Sequence, residues 1–168
     1  MNYHNITHDD MNNGDGLRVV LWVAGCEHHC KDCQNPVTWN PNDGAEFTLK
    51  EAEEIFRDLE KDYVAGITFS GGDPFHPANR EYVHNLIEVI NTYYPDKTIW
   101  VYTGYTWEEI MEIPELVSLL ETVDVLVDGR FDPALKSVTY PWAGSTNQRV
   151  IDVQQSFKKG RVILHASN

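Results

Sequence analysis

The sequence contains only three cysteines in 168 residues. Disulfide frameworks need pairs spread along the chain, so an odd, tightly grouped set excludes one. No apolar run approaches the roughly 18–20 residues of a membrane span. The opening MNYHNITHDDMNNGDG has neither a basic nor an apolar leader region. A secretory signal is therefore not expected, and the expectation is a soluble, cytoplasmic protein. Basic residues are scarce: 13 Lys and Arg face 26 Asp and Glu, for a net charge of -13. Such a surface repels phosphate backbones, so neither a nucleic-acid nor a membrane partner is expected. Repeats, low-complexity tracts and linkers are absent, and the length fits a single domain over 1–168.

What is present is a moderate apolar fraction (42%, with 11% aromatic), enough for one core. The charge is uneven. Residues 130–168 hold six basic and two acidic side chains, net +4, while the rest carries -17. Two readings stay open: a solvated basic end, or a positive rim for an anionic ligand or partner.

Strands and helices alternate. The run 17–24 (LRVVLWVA) lies between glycines and reads as a strand leading into the cysteine loop. Residues 40–46 are turn chemistry. Thr48 with Glu51 forms a capping box ahead of a helix at about 49–62. Strands follow at 66–70, 98–103 and 123–127, with weaker ones at 149–153 and 161–165. A helix starting at Pro77 should bury Tyr82, Val83, Leu86, Ile87 and Ile90. A second capping box, Thr106 with Glu109, starts a helix that restarts at Pro114. This grammar predicts an α/β fold with a mostly parallel sheet of four to six βα units. A closed eight-unit barrel takes about 200 residues or more, so an open partial barrel is expected. Ligands of such sheets sit at the carboxyl ends of the strands. The cysteine loop, Gly71-Gly72-Asp73, Tyr102-Thr103-Gly104 and Asp128-Gly129-Arg130 all fall there.

Cys26, Cys30 and Cys33 put three thiolates on one loop. A [4Fe–4S] cluster takes one ligand per iron, so three cysteines leave one iron open to a small molecule. A structural zinc site is the alternative, but it closes with four ligands and would need His28 or His29 as the fourth. The glycine pair lets backbone approach a ligand closely, Asp73 offers a carboxylate to an ammonium, and Arg130 is placed to contact an anion.

The C-x3-C-x2-C run Cys26-Glu27-His28-His29-Cys30-Lys31-Asp32-Cys33 resembles that of the radical S-adenosylmethionine (radical SAM) enzymes. Among them, the chain is similar to the activating proteins of anaerobic ribonucleoside-triphosphate reductases. The likeness runs through Asn13-Gly14-Asp15-Gly16, Ser70-Gly71-Gly72-Asp73-Pro74, Val101-Tyr102-Thr103-Gly104-Tyr105, Val127-Asp128-Gly129-Arg130-Phe131 and the segment 144–152 (GSTNQRVID). It departs at Asp32, where many relatives have an aromatic, and at Asp15, where proline is common. The resemblance implies a [4Fe–4S] cluster on Cys26, Cys30 and Cys33, with S-adenosylmethionine on the fourth iron. Gly72 and Asp73 would meet its amino group, Asp32, Cys33 and Gln34 its adenine, and Thr103 and Arg130 would add contacts. It further implies a low-potential electron donor such as flavodoxin and, as target, a glycine in the reductase large subunit. A pyruvate formate-lyase-type activase and a zinc-binding interaction module are the competing readings.

Overall fold

The computed structural model describes residues 1–166. Seven strands form one sheet: β1 (Asn2–Asp10), β2 (Leu17–Val23), β3 (Ala45–Glu46), β4 (Val64–Gly71), β5 (Thr98–Tyr102), β6 (Val125–Asp128) and β7 (Arg149–Asp152). Their order is β3-β1-β2-β4-β5-β6-β7. The helices are α1 (Leu49–Leu59), α2 (Arg80–Tyr93), α3 (Trp107–Met111), α4 (Pro114–Leu120) and α5 (Val153–Lys159).

The expected parallel sheet occupies only the middle. β2, β4, β5 and β6 are mutually parallel, joined through α1, α2 and the α3–α4 pair. The flanks are antiparallel: β1 against β2 and β3, and β7 against β6. The sheet is therefore mixed rather than mostly parallel. The physical cause at one flank is the turn at 11–16, which reverses the chain into β2 too tightly for a crossover helix.

Alternation along the strands separates two faces. Val19, Leu21, Val23, Ile67, Phe69, Ile99, Val101, Leu126 and Ile151 join the buried side of the helices in the main core. Each such side chain contributes about 1.5–3 kcal/mol when fully buried. The alternate residues face the other way. Trp100, Val125, Val127 and Val150 make a second apolar cluster there, with Tyr102, Trp142 and Ala143 against it. Beside it lies Arg18, 0% exposed. Its guanidinium donates to Thr68 Oγ1, Asp15 O, Thr98 Oγ1, Ile67 O and Thr98 O at 2.7–3.0 Å. It also sits 5.5 Å from the Trp100 ring centroid.

Both capping boxes form. Glu51 accepts from the Thr48 amide at 2.8 Å, and Glu109 accepts from the Thr106 amide at 2.8 Å. Pro114 opens α4 at a position where its missing N–H costs nothing. Other expectations are corrected. β1 was not foreseen, because its only core residue is Ile6 and register shifts break its alternation. The turn 40–46 ends in the two-residue β3. Residues 161–165 form no strand; they lie along β7 through the bridge of Ile151 to Leu164 and the bonds Asp152 N to Ile163 O and His165 N to Val150 O. α2 starts at Arg80, three residues after Pro77, and Tyr82 is 53% exposed on its outer side. Among the described residues no helix is long and apolar enough to cross a membrane.

Candidate metal centre

Parallel pairing aligns the ends of β2, β4, β5 and β6 at one edge, and the cysteine loop begins there. Two main-chain bonds hold its start: Gly25 N to Thr38 O at 2.7 Å and Cys26 N to Trp39 O at 3.0 Å. Left-handed residues at His29 (φ 47°) and Asp32 (φ 56°) coil the loop, a conformation aspartate tolerates better than most side chains. Cys33 N closes a turn onto Cys30 O at 3.1 Å. All three cysteines are free and half-buried. The Cys33 sulfur accepts from the Asn35 amide at 3.4 Å. Burial pushes the Cys26 thiol up to about 11. A nearby cation reverses that penalty, so the loop is suited to a metal-bound thiolate.

Asp73, with a side chain 2% exposed, ties the strand ends together. Its carboxylate accepts from Phe75 N (2.8 Å), Thr103 Oγ1 (2.9 Å) and Gly104 N (2.9 Å). The fourth partner is His28 Nε2 at 2.7 Å, on a ring 5% exposed. A carboxylate has about four lone-pair sites, so these donors saturate it. It offers none to an ammonium in this conformation. The Asp73 amide donates to Gly25 O at 2.7 Å, and buried Asn79 donates to Ala24 O and Asp73 O. Gly72 permits this approach: a Cβ there would stand 2.5 Å from Gly25 O.

Cys26, His28 and Asp73 lie close enough to share one ion, a group that omits Cys30 and Cys33. A zinc site built from the three cysteines and a histidine is not assembled: the His28 nitrogen nearest Asp73 is occupied, and His29 stacks on Trp39 at 4.4 Å. Thiolates of a four-iron cluster each bind a separate iron and do not share one ion. The donor set fits the cluster better.

A cavity of about 740 Å³ opens beside the loop on the sheet face away from the helices. Trp22, Ser70, Gly71 and Tyr102 form its floor, Cys33 and Gln34 one wall, and residues 136–144 its cover. That cover belongs to the long connection from β6 to β7. Gln148 fastens it, accepting from Gly144 N and Ser145 N at 3.0 and 3.1 Å and donating to Gly129 O at 2.9 Å.

The foreseen residues thus divide. Cys33 and Gln34 border the cavity, Gly72 stands behind its wall, and Asp32 is exposed outside it. Thr103 is buried on Asp73. Arg130 is paired with Glu109 at 3.2–3.3 Å on the surface. The basic residues Lys158, Lys159 and Arg161 do not border the cavity, and only Lys136 of the positive segment does. Tyr102, expected at a strand end, lies on the cavity floor, whereas nothing in the sequence reading singles out Trp22, Asn79 or Gln148. Strand alternation could have flagged Trp22, since it lies an even number of residues from its face-mate Arg18.

A free three-thiol loop laced to parallel strand ends defines an iron–sulfur protein of the single-cluster class. The family model described as "4Fe-4S single cluster domain" matches residues 12–151. The chain is 42% identical over 150 residues to the anaerobic ribonucleoside-triphosphate reductase-activating protein of Enterobacteria phage T4, covering 89% of this chain and 93% of that one. It is 42% identical over 155 residues to the protein of that name from Vibrio cholerae, covering 88% and 96%. Against its Escherichia coli K12 counterpart it is 40% identical over 152 residues, covering 89% and 97%. The chain belongs to the family of anaerobic ribonucleoside-triphosphate reductase-activating proteins.

Proposed function

We propose that residues 1–168 work as one cytoplasmic radical SAM domain that installs a glycyl radical on the large subunit of an anaerobic ribonucleoside-triphosphate reductase. The observation that carries this reading is the loop of three free thiols beside the 740 Å³ cavity. The open sheet, with helices on one face and the cavity on the other, is read as a partial barrel.

Cys26, Cys30 and Cys33 would hold a [4Fe–4S] cluster, with S-adenosylmethionine at the iron they leave free. With a low-potential donor such as flavodoxin, the two groups would supply one-electron reductive cleavage of the sulfonium and, through it, removal of a hydrogen atom from a glycine Cα, with methionine and 5′-deoxyadenosine as products. The protein's part is placement and exclusion of water. Main chain at Gly71, on the cavity floor, would meet the amino end, and Cys33 and Gln34, in its wall, would meet the adenine. Thr103 acts through Asp73. Arg130 reaches an anionic group only by leaving Glu109. The cover 136–144 shields the cavity from water. No side chain needs to act as a general base, because hydrogen moves as an atom.

Anaerobic reconstitution tests the reading. The protein should become brown and, with reductant and S-adenosylmethionine, release methionine and 5′-deoxyadenosine. Cys26→Ala, Cys30→Ala or Cys33→Ala should each abolish both. Added reductase large subunit should acquire a glycyl-radical resonance. A colourless, zinc-loaded protein, or a cysteine variant with undiminished cleavage, would refute it.

A further inference from the structure

The sequence offers Asp73 as a counter-ion for a ligand's ammonium, and the coordinates give that carboxylate a different occupation. Four donors from three segments converge on it: Phe75 N beyond β4, Thr103 Oγ1 and Gly104 N beyond β5, and His28 Nε2 from inside the cysteine loop. Of these, His28 alone comes from the loop that carries the thiols. The His28 ring is boxed in as well. Tyr105 packs edge-on at 4.7 Å, and a Cβ on Gly104 would lie 2.3 Å from His28 Cδ2. The space at Gly104 is thus shaped around the imidazole. The Cys26 sulfur, a His28 ring nitrogen and an Asp73 carboxylate oxygen all lie within 4.8 Å of one another. His28 therefore stands between Asp73 and the first thiol of the loop: its ring holds the carboxylate, and its main chain is two positions from Cys26.

We propose that Asp73 and His28 form a buried bridge that positions Cys26, and that Asp73 is a positioning residue for the cluster loop rather than the ammonium's partner. The inference rests on the reading of Cys26 as a cluster ligand. A carboxylate that orients a histidine, which then supports a metal-ligating residue, is the outer layer on which metal affinity and electronic properties depend. Without the bridge, the loop keeps its main-chain bonds at Gly25, Cys26 and Cys33 and the stacking of His29 on Trp39, but the segment next to Cys26 loses its side-chain anchor to the strand ends. A hydrogen bond to a charged group is worth about 1.5–3 kcal/mol, so the open loop should be roughly 10- to 150-fold more populated.

The experiment is done on reconstituted protein without S-adenosylmethionine, using His28→Gln, Asp73→Asn, their double variant and Gly104→Ala. The last leaves both partners in place chemically and displaces the ring by its added methyl. Two quantities are read: the rate at which an iron chelator strips the cluster, and the electron paramagnetic resonance spectrum of the reduced cluster. The bridge predicts that each single variant accelerates stripping about tenfold or more and alters the spectrum. The double variant should add little to either single one, because both remove the same link. Melting of the metal-free proteins identifies any variant that fails to fold, and His28→Gln, on a loop, decides the matter if Asp73→Asn is lost. The proposal is overturned if His28→Gln strips and resonates like wild type. It is equally overturned if Asp73→Asn leaves the cluster unchanged and weakens only S-adenosylmethionine binding. Failure of the functional reading looks different: the wild type itself would then hold no four-iron cluster.

Discussion

Arg18 is the residue with most at stake in the fold outside the cysteine loop. It lies between β2, β4 and β5 with no carboxylate in hydrogen-bond contact, and burial brings its guanidinium down to about 10. All five of its N–H groups nevertheless have acceptors. Lysine has three donors on one nitrogen and cannot reproduce this planar fork. Arg18→Lys therefore strands at least two buried acceptors, each costing about 1–3 kcal/mol. Denaturant unfolding of the metal-free protein should show a loss of about 2–6 kcal/mol. An unchanged midpoint would mean that water replaces the fork without penalty. Asp128 makes the same point about reading single residues. It stands two positions from Arg130 but pairs with Arg149 and receives the Trp107 amide at 2.8 Å, so it organises the strand ends rather than a ligand.

At the scale of elements, β1 buries a single apolar residue, Ile6, and it is pinned from the side. His8 meets Asp58 through Nδ1 and Glu54 through Nε2, the latter at 2.8 Å, which joins β1 to α1. The hydrogen bond to Asp58 raises the His8 pKa, burial opposes it, and the charges of Asp58 and Glu54 add to the rise. A histidine raised in the folded state stabilises fully below its unfolded value of about 6.5, and that stabilisation fades as pH climbs through the folded value. The melting temperature of wild type minus that of His8→Gln should therefore be larger at pH 6 than at pH 9. Because the ring is 41% exposed, the effect is screened and should shrink further in high salt. A difference independent of pH would show that His8 acts only by packing.

For the whole molecule, the arrangement of layers decides from which side a partner can approach. Helices cover one sheet face, and α5, which carries Lys158 and Lys159, buries Val153 in that core. The cavity opens on the opposite face, and Val138 on its cover is 92% exposed. A charge at Val138 therefore tests approach from the cavity side. Val138→Asp should slow activation of the reductase at low salt. Reversing Lys158, Lys159 and Arg161 to Glu should leave that rate within about twofold, since screening confines their field to about 8–10 Å. The opposite ranking would place the reductase on the helical side.

Much of this was legible in the sequence because it depends on neighbours along the chain. Capping boxes need a residue and its third successor, strands need alternation, and C-x3-C-x2-C fits all three thiols on one loop by spacing alone. The segments shared with the activating proteins carried the family in the same way. Tertiary structure decided what depends on residues far apart in sequence. Asp73 meets His28 across 45 positions and Thr103 across 30, and no local pattern tells a carboxylate waiting for a ligand from one already saturated. β1 hid because a strand with one core residue has too little apolar periodicity to register. The positive end read as one block because charge was summed along the chain, but β7 runs antiparallel to β6 and carries the chain away from the strand ends that hold the site. Chain reversal separates what sequence order had joined.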